Sequence, residues 1–219
     1  MRTRVKICGI TRVEDGIAAA SAGADAIGLV FWSGTPRCVS FGQARAIVAA
    51  LPAFVSVVGL FVDPQPEAVR EALAAVPLDI LQFHGDERPE LCGSFGRPYL
   101  KAVPVRPGVD LLQYAGHYDS ARALLFDAFQ PGGLPGGTGK TFDWARLPAQ
   151  LTDPTTRRLI LSGGLTPQNV AAAVRQLHPW AVDVSSGVEI TDANGAVRKG
   201  VKSATKIVAF IREVRSADG

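Results

Sequence analysis

The chain has 219 residues, of which 47% are hydrophobic and 20% charged, with a formal net charge of +3. That length suits one large domain spanning residues 1–219, and the composition excludes a disordered or fibrous chain. Lys and Arg are interleaved with acids, so no stripe for nucleic acid exists, although a local basic pocket for a small anion is compatible with the charge.

In chain order, short β-rich apolar runs alternate with Ala-rich segments of helical spacing. Arg4–Cys8 reads as a strand and Arg12–Ala22 as a helix. Asp25–Phe31, Val55–Phe61 and Asp79–Phe83 follow as strands, separated by helices at Phe41–Ala50 and Pro66–Ala75. Glu87–Gly93 reads as the next helix, then Tyr99–Val103 as a strand and Leu111–Tyr114 as a weak helix. Ala123–Phe126 is a sixth strand, followed by the Gly/Pro-rich loop Gln130–Lys140 and a short helix at Trp144–Leu147. Arg158–Leu161 and Ala181–Val184 are the last strands, with helices at Pro167–Gln176 and Lys202–Arg212. Continuous rather than alternating apolar runs indicate a parallel sheet buried on both faces. Eight βα units in this length predict a single-domain α/β protein, a closed (β/α)8 TIM barrel. An open doubly wound sheet is the alternative, but the first βα turn, Cys8-Gly9-Ile10-Thr11, carries no glycine fingerprint.

Three widely spaced cysteines, Cys8, Cys38 and Cys92, form no CxxC pair, which argues against a disulfide scaffold and a zinc knuckle. Lys6 interrupts the apolar run at the N-terminus, so the start does not read as a signal peptide. No apolar run approaches the roughly 18–20 residues of a membrane helix. A reducing cytoplasm is the expected setting, with no nucleic-acid or membrane partner; monomer and homodimer both remain open.

In a parallel barrel, chemistry collects where the strands end. Those positions carry Cys8, Arg37, His84, Asp127, Ser162-Gly163-Gly164-Leu165, Asp183 and Ser185-Ser186-Gly187. The small-residue turns after the last two strands suit phosphate, because glycine lets backbone N–H groups approach an anion; either turn alone could simply be a tight turn, but both in these two places favour phosphate. The loop Gln130–Lys140 ends in Gly139-Lys140-Thr141, but a phosphate cradle needs glycine where Leu134 stands. A flap over the site, or a solvated loop, fits its composition better. Arg37 can grip a carboxylate with two hydrogen bonds, or lie on the surface. His84 can be reactive or packed. Trp32, Trp144 and Trp180 read as core or rim packing. Asp127 ends an apolar run, where lost hydration favours a protonated acid. Cys8 is a base only if something favours its thiolate, and Lys6 points the same way from the same strand; otherwise it is filling.

Taken together, VKICGIT, ADAIGLVFWSGTPRCVS, VGLFVD, LQFHGDE, LLFDAF, GGTGKTFDW, LILSGGLTPQNV and VDVSSGVE resemble the phosphoribosylanthranilate isomerases, in order and over nearly the whole chain. The resemblance implies an Amadori rearrangement of N-(5-phosphoribosyl)anthranilate in tryptophan biosynthesis, without metal or cofactor. It implies Cys8 as general base, Asp127 as general acid and Arg37 as the contact for the anthranilate carboxylate. Phosphate would rest on Gly163, Gly164, Ser185, Ser186 and Gly187, with His84 and Asp183 in the pocket. Thr35 and Cys38 stand where Ser and an aromatic residue are usual, and Ser203 where an acid is frequent. Three rivals remain. One is an epimerase-like phosphosugar barrel, which would need metal-binding histidines; another is a barrel that only binds a phosphorylated ligand. The third is a two-substrate barrel like that of actinobacteria, which uses paired aspartates.

Overall fold

The computed structural model describes residues 2–106, 108–128, 142–152, 159–192 and 194–218. Eight strands follow one another: β1 (Arg4–Cys8), β2 (Ala26–Val30), β3 (Ser56–Phe61), β4 (Ile80–Phe83), β5 (Tyr99–Val105), β6 (Ala123–Ala128), β7 (Leu159–Leu161) and β8 (Ala181–Val184). Each pairs in parallel with the next, and β1 returns to pair with β8, so the sheet closes into a barrel. The helices between them are α1 (Val13–Ala22), α2 (Phe41–Ala49), α3 (Pro66–Ala75), α4 (Pro89–Gly93), α5 (Leu111–His117), α6 (Ala149–Thr152) and α7 (Val170–Leu177), with α8 (Ala204–Ala217) last. The open-sheet alternative is thereby excluded.

Strand side chains alternate between two faces. One set, including Ile7, Ile27, Leu29, Phe61, Phe83, Val103 and Phe126, packs outward against the helices in the larger core. The other set fills the barrel, and its apolar layer is small: Val58, Leu100, Ala102, Ala123, Leu125, Ile160 and Ala181. Each large apolar side chain so buried contributes about 1.5–3 kcal/mol relative to exposure. Farther along the same inward rows the residues become Cys8, Gln82, Asp127 and Asp183, all buried at the C-terminal end of the barrel. Strand direction therefore sorts apolar filling from polar chemistry.

Local signals account for several boundaries. Ser40 caps α2 in a reciprocal box with Gln43, and Pro66 and Pro89 open α3 and α4 at positions where no N–H is needed. The strands β5 and β6 each run two residues past the expected ends, so Pro104 pairs with Asp127, and Asp127 lies in the strand rather than after it. The largest departure is a hairpin of β9 (Glu189–Thr191) and β10 (Val197–Lys202), antiparallel to each other, between β8 and α8. Lys202 thus ends a strand and does not begin the last helix. Ser203 caps α8 through Oγ, 3.3 Å from the Lys206 N–H. Serine and acidic residues serve that position alike, which explains the exchange noted in the sequence. The loop Gln130–Lys140 lies outside the described residues, as does Arg158.

Candidate active site

Strand ends bring Cys8, Arg37, Gln82, His84, Asp127, Gly163, Gly164, Asp183, Ser185 and Ser186 to one cavity. Gly187 stands just behind it: a Cβ there would lie 1.9 Å from the Leu165 carbonyl oxygen, so its bareness lets the two turns pack together. Trp32 and Thr35 line the cavity but Cys38 does not, so the unusual cysteine leaves the wall intact.

On one side, β1 presents Lys6 and Cys8. Lys6 Nζ donates to Asp183 Oδ1 at 2.7 Å, and Asp183 Oδ2 accepts from Ser162 Oγ at 3.2 Å. Burial opposes the ammonium charge, but Asp183 and Cys8 outweigh it and raise the Lys6 pKa to about 12. Burial pushes the Cys8 thiol above its ordinary value, and Lys6 pulls in the opposite direction without cancelling it. Cys8 therefore rests as a thiol, next to a cation that stabilises the thiolate when it forms. Gly28, its neighbour on β2, makes the room: a Cβ there would sit 2.7 Å from Cys8 Sγ.

Asp127 approaches from β6. Its Oδ1 accepts from the Ala128 N–H at 2.8 Å, and its Oδ2 lies 3.2 Å from His84 Nε2. His84 Nδ1 is in turn 3.1 Å from Gln82 Nε2. Gln82 thereby holds the ring that faces Asp127. Gly163, at φ 84°, presses on this carboxylate: a Cβ would lie 2.8 Å from Asp127 Oδ1 and 2.4 Å from the Ala128 nitrogen. The turn expected to face phosphate thus also shapes the seat of Asp127. Beneath His84, Lys101 is fully buried and donates to the Gly85 carbonyl and, at 2.9 Å, to Glu87 Oε2. Glu87 also accepts the Gly85 and Asp63 N–H groups, fixing the loop that carries His84.

Arg37 differs from expectation. Its Nε and Nη2 donate to the two oxygens of Glu189 at 2.7 and 2.8 Å, so its forked edge is occupied from within the chain. Only Nη1 and the remaining Nη2 proton are left for a ligand. Hydrogen bonds from Arg37, Lys202 and Gly200 hold the Glu189 carboxyl below the usual range against the effect of burial. Sequence reading missed Gln82, Gly28, Lys101, Glu87, Glu189 and Lys202. The alternation placing Gln82 two residues before His84 on one inward row was the one available signal.

Cys92 is filling: it is wholly buried, and desolvation pushes its thiol up to about 12. Among the described residues, no group of three or more His, Cys, Asp or Glu side chains is arranged to hold a metal ion, and no helix is long and apolar enough to cross a membrane.

Polar groups converging at the C-terminal ends of eight parallel strands define a (β/α)8-barrel enzyme with a site suited to an anionic ligand. Residues 5–213 match the family described as N-(5'phosphoribosyl)anthranilate (PRA) isomerase. The chain belongs to that family and is an isomerase. It is 55% identical to the N-(5'-phosphoribosyl)anthranilate isomerase of Nitrosococcus oceani over 218 residues, covering 100% of each chain. Among solved structures, it superposes with TM-score 0.80 on a phosphoribosyl anthranilate isomerase in complex with reduced 1-(o-carboxyphenylamino)-1-deoxyribulose 5-phosphate. The identity to that enzyme is 36%, over 98% of this chain and 99% of the other. Monomers generated from the dimeric enzyme of Thermotoga maritima give TM-score 0.81 at 36% identity, covering 97% and 98% of the two chains.

Proposed function

We propose that this chain converts N-(5'-phosphoribosyl)anthranilate into 1-(2-carboxyphenylamino)-1-deoxyribulose 5-phosphate, with Asp127 as general acid and Cys8 as general base. The observation that supports the roles is the placing of a carboxyl group and a thiol on one cavity, together with Arg37 and the glycine–serine turns. Asp127 gives a proton to the ribose ring oxygen while the C1′–O bond breaks and the nitrogen lone pair forms an iminium. The adjacent C=N⁺ acidifies C2′–H, and the Cys8 thiolate takes that proton, leaving an enolamine. Protonation at C1′ and loss of the 2′-hydroxyl proton complete the ketone, so substrate and product are isomers. A positioned acid and a positioned base each contribute on the order of 10²–10⁴-fold.

The anthranilate carboxylate meets the outer nitrogen of Arg37, and the phosphate meets the turns at Gly163-Gly164 and Ser185-Ser186. Support for the phosphate end comes from the Gly163 and Gly164 N–H groups, which find no acceptor among the described residues. Lys6 stabilises the thiolate, Asp183 orients Lys6, and His84 orients Asp127. The reaction needs no metal or cofactor, and the chain acts as one domain in a reducing cytoplasm, consistent with its three free thiols. It works as a monomer or as a homodimer, the latter like the Thermotoga maritima relative.

Freshly generated substrate, followed by loss of its fluorescence with chelator present, tests the reading. Rapid, chelator-resistant loss is expected. No loss by folded protein that still binds the reduced product analogue would instead indicate a barrel that only binds ligand.

A further inference from the structure

Glu189 sits behind the cavity wall, 0% exposed, where no ligand can reach it. It therefore acts through what it holds. It accepts from Arg37 Nε at 2.7 Å and Nη2 at 2.8 Å, from Lys202 Nζ at 3.0 Å and from the Gly200 N–H at 2.8 Å. Lys202 is almost as deeply buried, and its Nζ also donates to the Ser185 carbonyl at 3.1 Å and Ser185 Oγ at 3.3 Å. Through Lys202, one carboxylate thus ties the guanidinium to the neighbouring serine turn; the two lie so close that a single Cβ on Gly9 would be 2.7 Å from Arg37 Cδ and 3.1 Å from Ser185 Oγ.

The hairpin that carries this pair is itself tied down. Lys202 N–H donates to Asp15 Oδ2 at 3.0 Å, and Thr11 Oγ1 donates to the Gly200 carbonyl. Charge is unbalanced inside the cluster, since one carboxylate faces two cations. Burial disfavours the Lys202 ammonium more than Glu189 favours it, and Arg37 adds repulsion, so its pKa is lowered. An anionic ligand at the cavity supplies the missing negative charge.

We propose that Glu189 and Lys202 are a positioning pair that sets Arg37 and Ser185 together, so that the affinities for a carboxylate at Arg37 and for phosphate at the Ser185 turn rise and fall as one. The proposal rests on the reading of Arg37 and the Ser185 turn as the two ends of the substrate site. Neither residue touches substrate. Both fix the groups that do, as preorganised binding requires.

The test compares wild type with Glu189→Asp, Lys202→Met and the double variant. Glu189→Asp keeps the charge but is too short to span both cations, and Lys202→Met keeps the apolar stem; thermal melting verifies that each folds. Inorganic phosphate and benzoate serve as competitive probes of the two ends. Each single variant is expected to weaken both probes roughly tenfold and to raise KM more than it lowers kcat. The double variant should be no worse than the worse single one, as residues of one network are non-additive. If Glu189→Asp weakens only benzoate, Lys202→Met weakens only phosphate, and the double variant is their sum, the coupling is overturned. Wild type that binds both probes but fails to turn over phosphoribosylanthranilate would sink the assigned reaction and leave the coupling standing.

Discussion

The two ends of the barrel are lined by the same inward-facing rows, yet they differ in kind. At the N-terminal end a cavity of about 320 Å³ is walled by Val58, Ile80, Leu100, Ala123 and Ile160, with the Arg4 guanidinium 3.6 Å over the Trp180 ring. At the C-terminal mouth the cavity gathers Cys8, Arg37, His84, Asp127 and Asp183. Apolar lining therefore marks one end and polar chemistry the other. Strand direction makes the difference, because it aims side chains from distant segments at one place, while the opposite end carries the apolar layer. Changes at the mouth should remove activity and spare the fold; changes at the base should do the reverse.

The largest effect is expected for Asp127→Asn: turnover falls by on the order of 10²–10⁴-fold, while affinity for the reduced product analogue stays near wild type by calorimetry. A wild-type rate would remove Asp127 as the acid. Cys8→Ser should also lose orders of magnitude, because a hydroxyl is a far weaker base at neutral pH. An unchanged rate there would make Asp183 the next candidate base.

At the base, Leu100→Ala should cost about 2–5 kcal/mol of stability without changing kcat per folded molecule, read by denaturant titration beside turnover. A loss of kcat with unchanged stability would show that the ends are not separable. The ion pair above the apolar layer has its own signature. The folded pKa of Lys6 is about 12, against an ordinary 10.5. Its contribution, about 2 kcal/mol by linkage, is present in full below pH 10.5 and is lost as pH rises toward 12. Lys6→Met should flatten that alkaline loss of stability, and an unchanged slope would assign it elsewhere. The smallest change is expected for Phe54→Ser, between α2 and β3. Phe54 is fully exposed, at φ 70°, and its loss should move stability by no more than about 0.5 kcal/mol.

The same contrast explains what the sequence made legible. Eight buried parallel strands leave eight apolar runs, so the barrel could be counted from β1 to β8. Cys8, His84 and Asp127 were legible because each closes or follows such a run, and Asp183 because it interrupts one with a charge. The hairpin carrying Glu189 and Lys202 was not, because its second strand, Val-Arg-Lys-Gly-Val-Lys, looks like a solvated segment until its partners are known. Glu189 meets Arg37 across 152 residues of chain, a distance no local pattern spans. Gly28 was equally silent, since its meaning is the space it leaves for a sulfur on another strand.

The most direct test of the thiol as base is the pH dependence of kcat/KM for wild type and Cys8→Asp. Burial holds the Cys8 thiol above its ordinary value, and the base must be ionised to work. Wild-type kcat/KM should therefore climb with rising pH through neutrality and beyond pH 8, reporting the free enzyme. With a carboxylate at that position, ordinarily near pH 4, the limb should move far to the acid side and leave the neutral range flat. The same climbing limb in Cys8→Asp would contradict the account and assign the base to another group.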